Sequence, residues 1–515
     1  MRGVAAVASS TMLAAMLAGC SSTTSSIAPV PPSGSGSSSS SQLAKFRQKI
    51  NHIVIVYQEN WGFDSLYGKF PGANGYANAT SITTQVDVNG KPIATDGPVL
   101  NGGAPDPNFA AFKPTAVAPF DLTGFISTTQ MTGDPNHNFY LQQAQIDGGK
   151  MDKYLAYPSS NQGGLSFGYF DTTNMPEGKL AQQYVLADNF HQDAFGGSFL
   201  NNMYAACECA PQQPLSTIPP ALIEKYDVNG NPVAFGGSEG RATNDGYIVN
   251  TSYSTQYPQL NGATVPTNTI VTPLTNPTLG DRLSAANVSW KFYSGGLANA
   301  LKGTPDPTFQ AHHQSYLYFK NYAPNTPGAA HIVDFDASFQ SDLASGTLPS
   351  VSWVKPLGAF NEHPGYANIA QGQMFVANLV SQIQMSPIWN DTMIVIFYDE
   401  AGGHYDHAAP LPVDRFGPST RVPAIFISPY LKRGVIDHTN YQVASILATI
   451  EQRFGLAPLT NRDAAATPIL APFDFSQPIR TAALRQSLGP IPAAAAAPMP
   501  PHYRGHPVTE LDLDD

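Results

Sequence analysis

The sequence predicts an α/β fold, a mostly parallel central sheet flanked by helices, and three observations carry that expectation. The runs Ile53 to Tyr57 and Met393 to Tyr398 are apolar without polar alternation, as in strands covered on both faces of a parallel sheet. Ile369, Val376, Leu379, Val380 and Ile383 recur at helical spacing, stop before Pro387 and lead into the second run, a helix-then-strand unit. Ala424 to Ser428 is a further apolar strand closed by Pro429, and Val443, Ile446, Leu447 and Ile450 mark the helix after it. Strands alternating with helices imply crossovers that cover both faces of one sheet.

The elements follow in chain order. Arg2 precedes an apolar stretch, Val4 to Leu17, too short for a permanent span and laid out as a secretory leader. It closes on Leu17, Ala18, Gly19 and Cys20, which resemble a bacterial lipoprotein box. Residues 1–19 are therefore expected to be a signal peptide and Cys20 the acylated first residue. Ser21 in place of Asp points to an exported outer-membrane or periplasmic lipoprotein, in contact with the membrane only through that lipid. Residues 20–45, with Ser37 to Ser41, read as a flexible Ser/Pro/Gly tether. Residues 46–485 hold the one large domain. Val288 to Tyr293 and Val351 to Val354 add two strands, and the Asn/Thr/Gly/Pro-rich regions from Asn78 to Gln130 and from Tyr226 to Thr278 read as loop-rich insertions forming a cap over the strand tips. Residues 486–515, from the alanine and proline runs to Asp514 and Asp515, read as a disordered, solvated tail.

Composition narrows the partners. Lys and Arg number 26 against 37 Asp and Glu, a formal charge of −11 that loses one more positive unit when Arg2 leaves. Such a balance argues against a nucleic-acid partner, which needs a basic stripe. It does not exclude phosphate substrates, because a bound cation inverts the local field of an acidic site. With Cys20 set aside, Cys207 and Cys209 either close a small disulfide in an oxidising compartment or stay as buried thiols, and they make a poor zinc site.

Open α/β sheets bind ligands beyond the carboxyl ends of their strands. Glu59 and Asn60 follow one apolar run and Asp399 and Glu400 the other, so two strand tips distant in sequence offer three carboxylates and an amide oxygen. That hard oxygen set suits one divalent or higher-valent metal ion; strand capping is the plainer reading of either pair alone. Ser198 follows Gly196 and Gly197 and precedes a helical stretch, as an activated nucleophile or as a simple helix cap would. Leu200 stands where an α/β-hydrolase elbow needs Gly. His137, His312, His313, His363, His404 and His407 lie in loops and as a set offer oxyanion donors and a leaving-group proton.

Asn51 through Asp64, then Ser386 to Trp389 with Tyr398 through His407, and Arg421 to Pro423 with Ile427 to Pro429 and Ser445 to Gly455, resemble the three signatures of the bacterial phosphoesterases that unite acid phosphatases with phospholipases C. The resemblance covers most of the chain from Lys49 to Ala465 and implies an alkaline-phosphatase-like fold. It further implies that Glu59, Asn60, Asp399, Glu400 and the Ser198 oxygen bind the metal, and that Ser198 forms a phosphoserine intermediate. By the same resemblance Asn60, His137, His313 and His363 hold phosphoryl oxygens or protonate the leaving group, with the register between His312 and His313 open. Trp61 and Gly62 stand where many members carry Arg and Ser, and Gly197 and Ser198 where the phospholipase branch usually has Pro and Thr. Both departures point to an acid phosphatase hydrolysing small phosphomonoesters at mildly acidic pH. A phospholipase C-type phosphodiesterase acting on phospholipid head groups is the alternative, and an anion-binding lipoprotein without turnover a third reading.

Overall fold

The computed structural model describes residues 36–76, 79, 82–101, 103–156, 163–226, 241–257 and 270–479. The leader, Cys20, the tether up to residue 35 and the tail from 486 lie outside them. Eight strands form the central sheet: β1 His52–Gln58, β2 Val185–Ala187, β3 Trp290–Ser294, β4 Ile332–Asp334, β5 Val351–Lys355, β6 Thr392–Tyr398, β7 Ala424–Ile427 and β8 Val435–Asp437. Their order across the sheet is β4-β3-β5-β1-β6-β7-β2-β8. The flanking helices are α1 Gly36–Lys49, α2 Phe139–Ile146, α3 Pro176–Gln183, α4 Ser198–Cys207, α5 Ile369–Met385 and α6 Val443–Phe454.

β1 lies at the centre because it can be buried on both faces. Ile53, Val54, Ile55 and Val56 have essentially no exposure, and all seven residues of β6 are buried. β1 pairs in parallel with both β5 and β6. The register with β6 matches Gln58 to Tyr398, so the residues just beyond, Glu59 and Asp399, emerge at the same level of the sheet edge. Helix α5 packs with α3, while α6 packs against α1 and α4. Asn368 caps α5 by accepting from the Gln371 N–H at 3.0 Å.

Two sequence expectations change in the fold. β7 runs antiparallel to β6, not parallel. No α-helix stands between Tyr398 and Ala424, so the chain re-enters the sheet from the edge at which it left. The strands β2, β4 and β8 carry three residues each and leave no periodic signature. Beyond the sheet, the region from residue 82 to 130 and the described parts of 226–278 form only two-residue strands, 3₁₀ turns and loops. Both touch the strand-tip loops: the Thr83 N–H donates to Tyr405 Oη at 3.3 Å, and Asn250 Oδ1 accepts from the Phe139 N–H at 3.2 Å, two residues past His137.

The tether expectation fails at its C-terminal end, since Gly36–Lys49 is helical through Ser37 to Ser41. The cause is tertiary. Phe46 is fully buried with its ring edge-on to Phe473 at 5.1 Å, and Gln42 Nε2 donates to the carbonyls of Leu470 and Phe473 at 3.1 and 2.8 Å. Packing overrides the low helix propensity of a serine run. Phe46→Ala should therefore destabilise the domain by about 3–5 kcal/mol in urea unfolding, where a tether residue would give less than about 0.5 kcal/mol.

Candidate active site

The site starts from the β1–β6 register. Asp399 Oδ1 accepts two backbone N–H groups, from Glu400 at 2.9 Å and from Asn60 at 3.3 Å, which ties the two strand tips together. Asn60 adopts left-handed backbone at φ 61°, a conformation that Asn tolerates better than most side chains. Its turn aims Glu59 and Asn60 at one point. Ser198 reaches the same point from the N-terminus of α4. Gly196, at φ 87°, makes the approach possible: a Cβ there would lie 2.7 Å from the Phe139 backbone.

Ser198 Oγ lies 3.0 Å from Glu59 Oε2, 2.9 Å from Glu400 Oε1 and 3.5 Å from Asn60 Oδ1. All four residues are fully buried. One hydroxyl proton cannot satisfy three oxygen acceptors. Oxygens of Glu59, Asp399 and Glu400 also lie within 4.8 Å of one another. Neighbouring oxygens about 3 Å apart match the edge of an octahedron with ~2.1 Å metal–oxygen bonds. Asp399 Oδ2, with no hydrogen-bond partner among the described residues, supplies a further free acceptor.

Asn60 gives an independent test of fit. Its Oδ1 faces Glu59 and Glu400, which cannot donate, while Nδ2 faces His137 Nε2 at 3.2 Å and His363 Nε2 at 2.8 Å. Swapping the amide would let its nitrogen donate to Glu59 Oε2 and Glu400 Oε1 at 3.0 and 3.1 Å and its oxygen accept from both imidazoles. Hydrogen bonding alone favours the swapped amide; a cation among the oxygens favours the other. The residues present therefore fit a metal ion.

The imidazoles are held from behind. His137 Nδ1 bonds the Pro135 carbonyl at 2.6 Å and His363 Nδ1 bonds that of Pro364, so each turns Nε2 inward. His137 Nε2 is also 3.2 Å from Glu400 Oε1. His313 Nδ1 lies 3.4 Å from Glu59 Oε1, while its neighbour His312 stands edge-on to Tyr253. The geometry thus places His313 beside the carboxylates.

Sequence reasoning missed Lys355. This buried residue ends β5 and its Nζ pairs with Glu59 Oε1. A lysine after an apolar run looks like an ordinary strand end; the signal was that the run is a parallel strand beside β1. A second missed feature lies under the site. Glu362 accepts from Gln58 Nε2 at 2.9 Å and from Tyr398 Oη at 2.8 Å, and Tyr398 Oη also reaches Glu177 Oε2 at 3.3 Å. Burial pushes Glu177 up to about 7, and burial with the neighbouring Glu177 charge pushes Glu362 well above the carboxylate range. The two acids share a hydrogen bond directly behind the residues that precede Glu59 and Asp399.

His407 does not join the site. It bonds Asp64 Oδ2 through Nδ1 at 2.6 Å, in a cluster of Asp64 and Asp406 already filled by buried Arg421, whose Nη2 lies 3.2 and 2.9 Å from the two carboxylates. A guanidinium there leaves no place for a metal ion. Cys207 and Cys209 form a disulfide at the end of α4, with Glu208 between them in left-handed backbone at φ 49°.

The chain is similar to a non-hemolytic phospholipase C of Burkholderia pseudomallei, 27% identical over 484 residues that cover 83% of this chain and 59% of that protein. It is also similar to phospholipase C A of Mycobacterium tuberculosis, 24% identical over 481 residues, 83% of this chain and 78% of that one. The chain spans less than two thirds of the Burkholderia protein's length. Among solved structures, a member of the alkaline phosphatase superfamily from Vibrio parahaemolyticus is 12% identical, covering 68% of this chain and 73% of that chain at a TM-score of 0.28. The match to the Phosphoesterase family runs from residue 50 to residue 457, from the threshold of β1 to just past α6, and the chain belongs to that family.

Proposed function

We propose that the protein is a phosphoric-ester hydrolase acting as a phospholipase C-type phosphodiesterase, with Ser198 as its nucleophile. The single observation that carries the chemistry is Ser198 Oγ held within 3.0 Å of carboxylates from two different strand tips, Glu59 and Glu400. Glu59, Asn60, Asp399, Glu400 and Ser198 would hold one metal ion, which when bound supplies positive charge against a phosphoryl oxygen and acidifies the hydroxyl. Ser198 gives its hydroxyl proton to one of the carboxylates it faces, Glu59 or Glu400, as its Oγ attacks phosphorus; the bond from phosphorus to the leaving oxygen breaks, and that oxygen takes a proton from one of the surrounding imidazoles. Water then attacks the phosphoseryl group and returns the Ser198 hydroxyl. Asn60, His137, His313 and His363 surround this point and offer the donors that phosphoryl oxygens need. Lys355 holds Glu59 in place and offsets one carboxylate charge.

The substrate class rests on the relatives, which are named phospholipases C. They favour the diesterase over the monoesterase to which Trp61, Gly62 and the Gly197-Ser198 pair point. The acid phosphatase remains the second reading on the strength of those same positions. Substrates in either case are small phosphoesters rather than nucleic acid. An anchor on Cys20 would keep the enzyme at the outer membrane, facing the periplasm or outside.

Three outcomes test this. Ser198→Ala should lower hydrolysis at least about 10³-fold and abolish covalent phosphate labelling; unchanged turnover removes Ser198 from the chemistry. Asp399→Asn should lose stoichiometric metal by elemental analysis, and with it the added thermal stability that ligand binding gives the parent, about 2.7 kcal/mol at a hundred times the dissociation constant. Finally, kcat/KM for p-nitrophenylphosphorylcholine should exceed that for p-nitrophenyl phosphate, and the opposite order would restore the acid phosphatase.

A further inference from the structure

One polar side chain at the site has no role in the scheme above. His404 is buried at 1% exposure, and neither of its ring nitrogens has a hydrogen-bond partner among the described residues. Its position is built. The turn through Gly403, at φ 70°, presses on the loop that carries His137, where an added Cβ would lie 2.7 Å from the Asn136 carbonyl and 2.9 Å from that of Pro135. Trp61 covers one face of the ring, stacked at 4.5 Å and 16°, and is itself fixed by donating its indole N–H to the Glu362 carbonyl at 2.9 Å. The ring therefore has a set plane and two buried nitrogens without partners among the described residues, between the residue after Asn60 and the loop of His137.

Burial, reinforced by His137, lowers the His404 pKa to about 3. The imidazole is neutral at any working pH and offers one N–H donor and one lone pair. Leaving such a group buried and unpaired destabilises the fold, and a hydrophobic ring of similar size would avoid that cost. Buried polar groups without partners are rare enough to need a specific cause. A trapped water is a poor one, because it would need two to four polar partners of its own, and here stacked Trp61 supplies none.

We infer that His404 is a substrate-binding residue: its free ring edge hydrogen-bonds an oxygen of the bound phosphoester on the side of the site lined by His137 and His363. This rests on the phosphoester reading above. The contact completes a ring pair, Trp61 and His404, that sets the wall against which the ester lies. The residue is thus kept for binding at the expense of stability.

His404→Phe separates the two. Kept as the metal-loaded full chain, the variant should show the same metal content and an equal or higher Tm, while kcat/KM for p-nitrophenylphosphorylcholine falls about 10- to 100-fold, the range expected for a lost polar contact to phosphate oxygen. Inhibition by inorganic phosphate should weaken in the same direction. His404→Gln, which keeps a donor, should recover part of both losses. Unchanged kcat/KM and phosphate inhibition in His404→Phe would overturn the inference. So would a His404→Gln variant as impaired as the Phe variant with both showing a lowered Tm, since shape and not hydrogen bonding would then be at stake. If the parent hydrolyses no phosphoester, the hydrolase reading falls, and inorganic phosphate binding to parent and variant still decides the role of His404.

Discussion

The structure depends on the register between β1 and β6. Matching Gln58 to Tyr398 brings Glu59 level with Asp399, and the next residue adds Glu400, so three carboxylates converge where water is excluded. Two unit charges about 4 Å apart repel by ~4 kcal/mol at an effective dielectric of 20. One buried lysine, Lys355, offsets part of this. The negative charge that remains is of the size a divalent ion would neutralise, and a sheet edge that would otherwise repel itself is suited to hold one.

Neighbouring acids avoid the same conflict by different means, which is why they do not compete for the ion. Asp64 and Asp406 are paired with Arg421, a planar donor that also bonds the carbonyls of Asn74 and Asp188, both at 2.7 Å. Burial nonetheless holds Asp406 up at about 6. Glu177 and Glu362 have no cationic partner among the described residues, and their raised pKa values favour a proton shared between them. That pair, carrying one negative charge instead of two, lies behind Gln58 and Tyr398. A doubly charged pair in its place would add more negative potential directly beneath the carboxylates of the site, while the shared proton lets it fix both strand ends through hydrogen bonds at a smaller cost in charge.

Much of this was legible in the sequence because the relevant signals are local. Glu59 with Asn60 and Asp399 with Glu400 each follow an uninterrupted apolar run, and burial of such runs in a parallel sheet forces their ends to one edge. Ser198 was ambiguous from spacing, since a helix cap and a nucleophile both favour Gly-Gly-Ser; its hydroxyl facing Glu59 and Glu400 is a tertiary contact that spacing does not contain. What was hidden depends on tertiary contact. Lys355 acquires meaning from β5 lying beside β1. The antiparallel entry of β7 follows from where the chain leaves β6. Ser37 to Ser41 join a helix because Gln42 and Phe46 dock on residues more than four hundred positions away. No window of sequence contains those partners.

The Asn60 amide shows how binding and packing are coupled at this site. With its oxygen among the carboxylates it completes an oxygen cage and donates to the two imidazoles; with its nitrogen there it closes the cage by hydrogen bonds alone. The two orientations differ by a rotation of one side chain. The imidazoles are held by contacts that do not change with it: His137 by Nδ1 on the Pro135 carbonyl and Nε2 at 3.2 Å from Glu400 Oε1, and His363 by Nδ1 on the Pro364 carbonyl. The amide is thus the part of the site whose orientation a cation among the oxygens would set, within a frame that the two backbone carbonyls already fix.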